Sequence, residues 1–382
     1  MKLTAKVLTV IIIAVIMLPM LSGCNNGRQV INVFNWGEYI DSDVLSMFTE
    51  ETGIKINYTT FATNEELYAK LTSGGSDYDV IIPSDYMINR LIQEDKLEKI
   101  NFDNIPNYSY IMEEYQNLEF DPTNEYSIPY TWGTVVLIYN TVHVSKPVES
   151  WDILWDEDYS GKIIMFGNSR DAFGISLQRL GYSVNTTDER ELEHAADELR
   201  KQRGLVQGYF MDEIFNKMGG EEAWIAPYYA GDALTMIDDN PNLSAAHPKE
   251  GTNMFVDSVC IPKCTRNKDG AEQFINFLCR PDIAALNSEY IGYSTPNEGA
   301  FDLLDEELIN NPVTYPDQEV LEITESFIHL PEETNLLIDR LWIDIRGGSS
   351  DDNVWLFPII LAVIVVIFII LIISKKKKKK IN

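Results

Sequence analysis

The sequence is poor in the residues that build disulfide frameworks and zinc sites. Its 382 residues include four cysteines and four widely separated histidines. No Cys and His spacing matches a structural zinc site, so we expect no metal site. Cys260 and Cys264 could form a local bridge, but Cys260 lies in an apolar strand-like run and Cys279 follows Phe277 and Leu278. We therefore interpret all three as small hydrophobic residues of the core.

Common catalytic motifs are also missing. The sequence contains no Gly-x-Ser-x-Gly nucleophile elbow, no His-Glu-x-x-His zinc-protease motif and no Walker phosphate-binding loop. We therefore predict a protein that is not an enzyme and uses no cofactor, with an extracytoplasmic enzyme as an alternative.

Positive charge is scarce in the central part of the chain. All 59 acidic residues lie between residues 25 and 353, together with only 22 basic residues, and 22 minus 59 gives a net charge of −37. Such a field repels nucleic acid and anionic metabolites and raises the encounter rate of cations. We therefore exclude nucleic acid as a partner.

The chain begins with a pattern typical of an export signal. Two lysines precede an apolar run from Val7 to Leu21, and residues 21–24 read Leu-Ser-Gly-Cys. This pattern resembles the bacterial lipobox, in which the cysteine is lipidated after cleavage. We predict a signal peptide over 1–23, a lipidated Cys24 and a short tether to residue 28. An uncleaved membrane anchor with an incidental cysteine is the alternative.

A second membrane signal lies near the C-terminus. Residues 354–374 carry no charge and are almost wholly Ile, Val, Leu and Phe. Such a helix is about 31 Å long, which matches the hydrocarbon core of a bilayer. Six lysines follow, and they place the tail 375–382 in the cytoplasm. The pattern predicts a transmembrane helix after a linker over 347–353, with the body of the protein outside the cell.

The opening of the exported body (residues 29–346) alternates strand-like runs with helical patterns, which indicates a parallel sheet with helices on both faces. A second α/β series starts near Gly133. Ligands of such sheets bind beyond the carboxyl ends of the strands. The predicted strands are Val30–Asn35, Ile54–Thr60, Asp79–Pro83, Val135–Asn140, Lys162–Phe166 and Phe255–Pro262. The predicted helices are Asp43–Thr52, Asn64–Thr72, Asp85–Glu94, Asp171–Gly181, Asp188–Arg203 and Lys268–Leu278.

Aromatic residues, polar residues and acids recur together at the predicted ends of these elements. The first such cluster is Trp36-Gly37-Glu38-Tyr39, which follows the first strand. Rings cover methylene groups and attract cations, and carboxylates accept the protons of ammonium groups. The clusters therefore indicate a pocket for a cation with an apolar body. The further clusters are residues 83–86, 168–171, 228–232, 255–258 and 290–293.

With these motifs the sequence resembles the spermidine/putrescine-binding proteins, the polyamine receptors of bacterial ABC importers. The likeness covers residues 29–346. It implies a two-lobed, periplasmic-binding-protein-like fold of type II with hinge crossovers, in which lobe 1 comprises about 29–131 and 256–300 and lobe 2 about 132–255 and 301–346. The passages that carry it are Asn35-Trp36-x-Glu38-Tyr39, Glu51-Thr52-Gly53-Ile54-Lys55, Tyr126-Ser127-Ile128-Pro129-Tyr130-x-Trp132-Gly133 and Ile291-Gly292-Tyr293-x-Thr295-Pro296-Asn297.

The resemblance also implies which residues bind the ligand. Asp171 and Asp257 match carboxylates that hold amines in the family, and Asp232 matches an acid seen in putrescine receptors. The expected ligand-binding residues are Trp36, Tyr39, Ser84, Tyr86, Asn168, Asp171, Tyr229, Asp232, Phe255, Asp257 and Tyr293.

Four positions depart from the common family pattern. Asn168 stands where many members have Asp, and Tyr229 and Phe255 stand where many have Trp. Phe327 falls near a position that often holds an amide. These departures leave the preference between spermidine and putrescine open.

The function that the resemblance implies is that of a membrane-anchored extracytoplasmic receptor. Such a receptor captures a polyamine between its lobes and delivers it to the permease and ATPase subunits of an ABC transporter. One alternative is a receptor for ferric ion or another small cation, since Tyr228 and Tyr229 could ligate Fe³⁺. A membrane-tethered polyamine sensor is another, although the short lysine tail contains no output domain.

Overall fold

A computed structural model describes residues 29–347. The predicted signal peptide, Cys24 with its tether, the membrane helix 354–374 and the lysine tail lie outside these residues. Within residues 29–347, no helix is both long and apolar enough to cross a membrane.

The strands of the described part form one mixed sheet. Its order is β2-β1-β3-β9-β4-β7-β5-β6, and β8 pairs with β4 beside this path. The strands are β1 (Val30–Trp36), β2 (Lys55–Phe61), β3 (Val80–Ile81), β4 (Ser127–Asn140), β5 (Ile163–Phe166), β6 (Val206–Phe210), β7 (Ile225–Tyr229), β8 (Leu243–Ala246) and β9 (Met254–Cys260).

The α-helices cover the faces of this sheet and lie close to most of the predicted positions. Asn64–Thr72 and Lys268–Leu278 are helices with the predicted bounds. The helices are α1 (Ser42–Thr52), α2 (Asn64–Thr72), α3 (Asp85–Gln93), α4 (Ser169–Arg179), α5 (Glu189–Gln202), α6 (Glu213–Gly219), α7 (Ala230–Asp239), α8 (Lys268–Leu278), α9 (Pro281–Ile291), α10 (Glu298–Phe301), α11 (Glu306–Ile309), α12 (Gln318–Leu321) and α13 (Glu332–Gly347).

Local signals set the bounds of these helices. The side chain of Asp41 accepts a hydrogen bond from Asp43 N at 2.8 Å and so caps the start of α1. Gly53 ends the helix in the left-handed conformation, at φ 75°. Thr63 caps α2 in the same way through Glu66 N. Because these signals are short-range, the sequence predicted these two helices closely.

Strand β4 joins two lobes, each with its own core. Residues 127–134 of β4 pair with β9, whereas residues 135–140 pair with β7 and β8. One set of buried apolar residues surrounds β1, β3 and α8, and another surrounds β5, α4, α5 and α13. The predicted two-lobed α/β fold is therefore confirmed, with β4 as one of its crossovers.

The predicted parallel arrangement of the first three strands is confirmed, whereas the centre of the whole sheet is antiparallel. Strands β2, β1 and β3 are parallel to each other, as are β7, β5 and β6. In contrast, β9 runs antiparallel to β3 and β4, and β4 runs antiparallel to β7. Strand β4 is buried almost throughout its length, so its apolar run carries no information about its direction.

The segment after α10 packs on lobe 1. Leu304, Leu308 and Tyr315 contact the apolar cluster built around Ala285 and Ala300. Helix α13, in contrast, contributes Ile338, Leu341 and Trp342 to the core of lobe 2. Val313 already packs against the core of lobe 2, so we propose that the chain returns to lobe 2 beyond residue 309, later than the predicted position.

The three cysteines of the described part are free thiols. Cys260 and Cys279 are buried and Cys264 is half-buried. The local bridge between Cys260 and Cys264 that the sequence left open does not form in this structure. The interpretation as core residues is confirmed for Cys260 and Cys279 and is wrong for the half-buried Cys264.

Candidate ligand-binding cleft

The eleven predicted ligand-binding residues all line one cleft between the lobes. The cleft, including its mouth, has a volume of about 690 Å³. Trp36 is the last residue of β1, Ser84 precedes α3, Asn168 precedes α4, and Tyr229 ends β7. These residues meet because strand ends from both lobes open onto the cleft.

Strand β4 pairs with two strands that carry residues of the cleft. Asp257 and Phe255 of β9 lie opposite Thr131 and Gly133 of β4, and Tyr229 of β7 lies opposite Val135. The strand that connects the lobes therefore pairs directly with candidate ligand-binding residues from each lobe.

Asp257 is a buried carboxylate, 4% exposed. Its Oδ2 accepts a hydrogen bond from Tyr39 Oη at 2.7 Å, and Tyr39 Oη lies 2.5 Å from Thr131 Oγ1. Its Oδ1 is buried and has no hydrogen-bond partner within the described chain. Burial raises the pKa of Asp257 to about 6. One oxygen of this acid therefore remains available for a donor that enters the cleft.

Asp171 lies on the lobe 2 side of the cleft. Its Oδ2 accepts hydrogen bonds from Asn168 Nδ2 at 2.6 Å and Tyr229 Oη at 2.9 Å. Asn168 Oδ1 in turn accepts a hydrogen bond from Asp171 N at 2.8 Å and caps α4. Burial raises the pKa of Asp171 to about 6. The amide of Asn168 thus orients Asp171 and caps the helix, in addition to lining the cleft.

Asp232 lies in the first turn of α7, close to other acids. Burial raises its pKa to about 8, and the charges of Asp212, Glu38 and Asp257 act in the same direction, whereas a hydrogen bond to Tyr293 opposes them. A cation bound here would relieve both the burial and the repulsion.

Three further acids line the cleft that the sequence did not assign to the ligand: Glu65, Asp85 and Asp212. Tyr86 Oη donates a hydrogen bond to Glu65 Oε1 at 3.0 Å. Glu65 lies in the first turn of α2, where an acid is ordinarily explained by the helix dipole. Asp212 follows β6, a strand that the sequence did not predict. Asp85 belongs to the aromatic and acidic cluster 83–86, and this membership could have identified it in the sequence as a residue of the cleft.

Aromatic rings form much of the remaining wall. Tyr39 and Tyr293 pack edge to face with ring centroids 4.9 Å apart, and Tyr229 and Phe255 do so at 5.4 Å. A Cβ atom at Gly231 of lobe 2 would lie 2.1 Å from the ring of Tyr293 in lobe 1. The lobes therefore meet closely at this point, and the glycine makes room for the ring.

Of the described residues that line the cleft, none is Lys or Arg. The buried Arg170 lies nearby, with its guanidinium 4.3 Å from the ring centroid of Phe327. It donates hydrogen bonds to Val184 O, Asn185 Oδ1 and Ile328 O. Because these acceptors hold it in place, Arg170 leaves most of the negative charge of the cleft uncompensated.

The two tyrosines of the ferric-ion alternative, Tyr228 and Tyr229, both contact other side chains. Within residues 29–347, no group of three or more His, Cys, Asp or Glu side chains is arranged to hold a metal ion. Tyr229 Oη donates to Asp171, and the Tyr228 side chain is buried and packs on Phe166 and Phe215.

Comparison of the chain with protein families gives two matches. Residues 77–322 match the family described as bacterial extracellular solute-binding protein. Residues 1–109 also match a hypothetical lipoprotein family, the MG045 family.

Characterised relatives and a solved structure agree with this match. The chain is 38% identical over 291 residues to the spermidine/putrescine-binding periplasmic protein of Escherichia coli, which covers 76% of this chain and 84% of the relative. It is 33% identical to a putrescine-binding periplasmic protein of Pseudomonas aeruginosa, over 84% of this chain and 93% of the relative. The spermidine/putrescine substrate-binding protein PotD of Streptococcus pneumoniae superposes with a TM-score of 0.72 at 38% identity, over 84% of this chain and 99% of the other.

Proposed function

Because this chain belongs to the bacterial extracellular solute-binding proteins, and among them to the spermidine/putrescine receptors of ABC importers, we propose that it captures a polyamine in its cleft and delivers it to a membrane permease. It acts as an extracytoplasmic receptor and not as an enzyme. Its partners are the permease and ATPase subunits of the transporter.

The observation that carries this proposal is the chemistry of the cleft. A polyamine is an apolar chain with ammonium groups at fixed spacing. The cleft offers rings for the methylene groups, and five of its acids are Glu65, Asp171, Asp212, Asp232 and Asp257. Each charge-assisted hydrogen bond contributes about 1.5–3 kcal/mol, and each cation–π contact about 0.5–2 kcal/mol. We propose the eleven predicted residues as the ligand-binding set, with Asp171, Asp232 and Asp257 as its principal anions.

We expect the full-length protein in detergent to bind putrescine or spermidine. Binding should change tryptophan fluorescence, because Trp36 lines the cleft. Affinity should fall as salt rises, since part of the attraction is long-range. Titration calorimetry with both amines, a sugar and an amino acid would test this. Tight binding of the sugar or amino acid, with no heat from either amine, would contradict the proposal.

We also propose that the receptor is attached to the membrane at both ends, by a lipid on Cys24 and by a helix over 354–374. The lipobox-like Leu-Ser-Gly-Cys and the match of residues 1–109 to a lipoprotein family support the first attachment. The uncharged run and the six lysines after it support the second.

Deletion of residues 347–382 should leave the protein in the membrane fraction, because the lipid still holds it. Adding Cys24→Ala to this deletion should impair that retention, since residue 24 can then no longer carry a lipid. Membrane flotation of both variants and of Cys24→Ala alone would measure the two contributions. Full release by the deletion alone would contradict lipidation of Cys24.

A further inference from the structure

A second chamber adjoins the cleft, and none of the predicted functions uses it. Including its opening, it has a volume of about 940 Å³. Asp85, Tyr86 and Phe327 line both spaces and therefore form the wall between them. The rings of Tyr86 and Phe327 meet edge to face in this wall, with centroids 6.1 Å apart.

The chamber is lined by the same kinds of residue as the cleft. Tyr115 and Phe120 add two rings, and the exposed Glu114 and Glu119 add two acids. His329 also lines it, and burial lowers the pKa of this histidine, which favours its neutral form. None of the described lining residues is Lys or Arg.

Asp85 gives this chamber an anion with an unused acceptor. Its side chain is 2% exposed, and its Oδ1 accepts a hydrogen bond from Tyr86 N at 2.7 Å. Its Oδ2 is buried and accepts no hydrogen bond of normal geometry within the described chain, although the nearby backbone N–H of Val256 stabilises the charged form of the carboxylate. A buried carboxylate without a donor is costly, so such an atom commonly marks a missing ligand.

The position of Asp85 at a helix N-terminus explains the role of only one of its two carboxylate oxygens. Asp85 begins α3, where backbone N–H groups and the helix dipole stabilise an acid. That role needs one carboxylate oxygen, and Oδ1 fulfils it. An exposed first-turn acid such as Asp43 of α1 fulfils the same role without burial. Burial of Asp85 between two ring-lined spaces therefore calls for another explanation.

We propose that the second chamber binds an alkylammonium group, with Asp85 as its buried anion. This inference rests on the proposed function of the cleft and extends it. The ammonium group belongs either to the far end of a polyamine whose other end occupies the cleft or to a separate amine molecule. Arg170 offsets part of the charge of Asp85, but its fixed hydrogen bonds keep it from pairing with that carboxylate.

Calorimetry of the full-length protein with putrescine, a diamine, and spermine, a tetraamine, would test this proposal. If one ligand spans both spaces, Asp85→Asn should lower the affinity for spermine roughly ten-fold to a hundred-fold. The same substitution should lower the affinity for putrescine by less than about three-fold. If the chamber holds a separate amine, the wild type should bind a second putrescine that Asp85→Asn does not bind.

Two further variants make the test independent of folding defects. Asp43→Asn removes a first-turn acid of the same type and should leave the affinities for putrescine and spermine unchanged. Ser326→Trp, at an exposed lining residue, should fill the chamber and reproduce the effect of Asp85→Asn. The melting temperature of Asp85→Asn should not fall, because burial raises the pKa of Asp85 well above its ordinary value and already disfavours the charged form that the substitution removes.

Two outcomes would overturn the proposal. Equal weakening of putrescine and spermine by Asp85→Asn would place Asp85 in the cleft alone. Unchanged affinities and a single site in both Asp85→Asn and Ser326→Trp would show that the chamber binds no amine. In each case putrescine binding by the wild type tests the proposed function separately.

Discussion

Asp257→Asn should lower the affinity for a polyamine roughly thirty-fold to several-thousand-fold. This range corresponds to the ~2–5 kcal/mol that is lost when one partner of a desolvated charge pair is removed. Asp257 is 4% exposed, Tyr39 fixes its Oδ2, and its Oδ1 is free to accept an ammonium proton. The amide of Asn keeps the shape of the side chain and removes the charge.

A surface acid provides the matched control for this experiment. Asp302 is exposed, and Asp302→Asn should change affinity about five-fold or less, since exposed charge pairs contribute under ~1 kcal/mol. Both variants should be compared by calorimetry at one pH and one salt concentration. If Asp257→Asn costs no more than Asp302→Asn, Asp257 does not hold the ligand.

Affinity should also fall by about a hundred-fold or more between pH 8 and pH 5. The pKa values of Asp171 and Asp257 are raised to about 6 and that of Asp232 to about 8 in the empty cleft. A bound cation favours the ionised acids, so binding must release protons and must weaken as the pH falls through these values. At pH 5, Asp171 and Asp257 each contribute roughly a ten-fold loss. Aliphatic amines titrate near pH 10, so the ligand stays charged throughout.

Calorimetry in two buffers with different heats of ionisation would count the released protons. At pH 7 we expect release by Asp232, because its pKa lies above that pH in the empty protein. Asp232→Asn should abolish this proton release at pH 7. The variant should still lose affinity as the pH falls through 6, because Asp171 and Asp257 remain. A constant affinity from pH 8 to pH 5 would mean that these acids do not face the ligand.

Much of the cleft was predictable because its residues lie beside short-range signals. Trp36 ends the strand β1, and Asn168 precedes a helix that it caps. Asp257 interrupts an apolar strand, which is unfavourable unless the acid has a function. Patterns of this kind are contained within a few residues, so they can be recognised in the sequence alone.

Other parts depend on contacts between distant residues. The sequence predicted only residues 135–140 of β4, because Pro129 and Gly133 weaken the strand pattern of the preceding segment. Pairing with β9 holds that segment extended despite a register shift between Pro129 and Thr131. Glu65 looks like an ordinary first-turn acid until the fold brings it beside Tyr86. The roles of residues 127–134 and of Glu65 depend on tertiary contacts, so no local sequence pattern predicts them.

The close approach of the lobes at Gly231 and Tyr293 bears on the equilibrium between open and closed receptor. Closure withdraws the cleft carboxylates from water whether or not a cation is present. Without a cation, the acids must take up protons or stay hydrated, and both requirements disfavour closure. A polyamine supplies the missing charge in the closed form, so it shifts the population towards that form. A permease that recognises closed lobes would therefore meet loaded receptors far more often than empty ones.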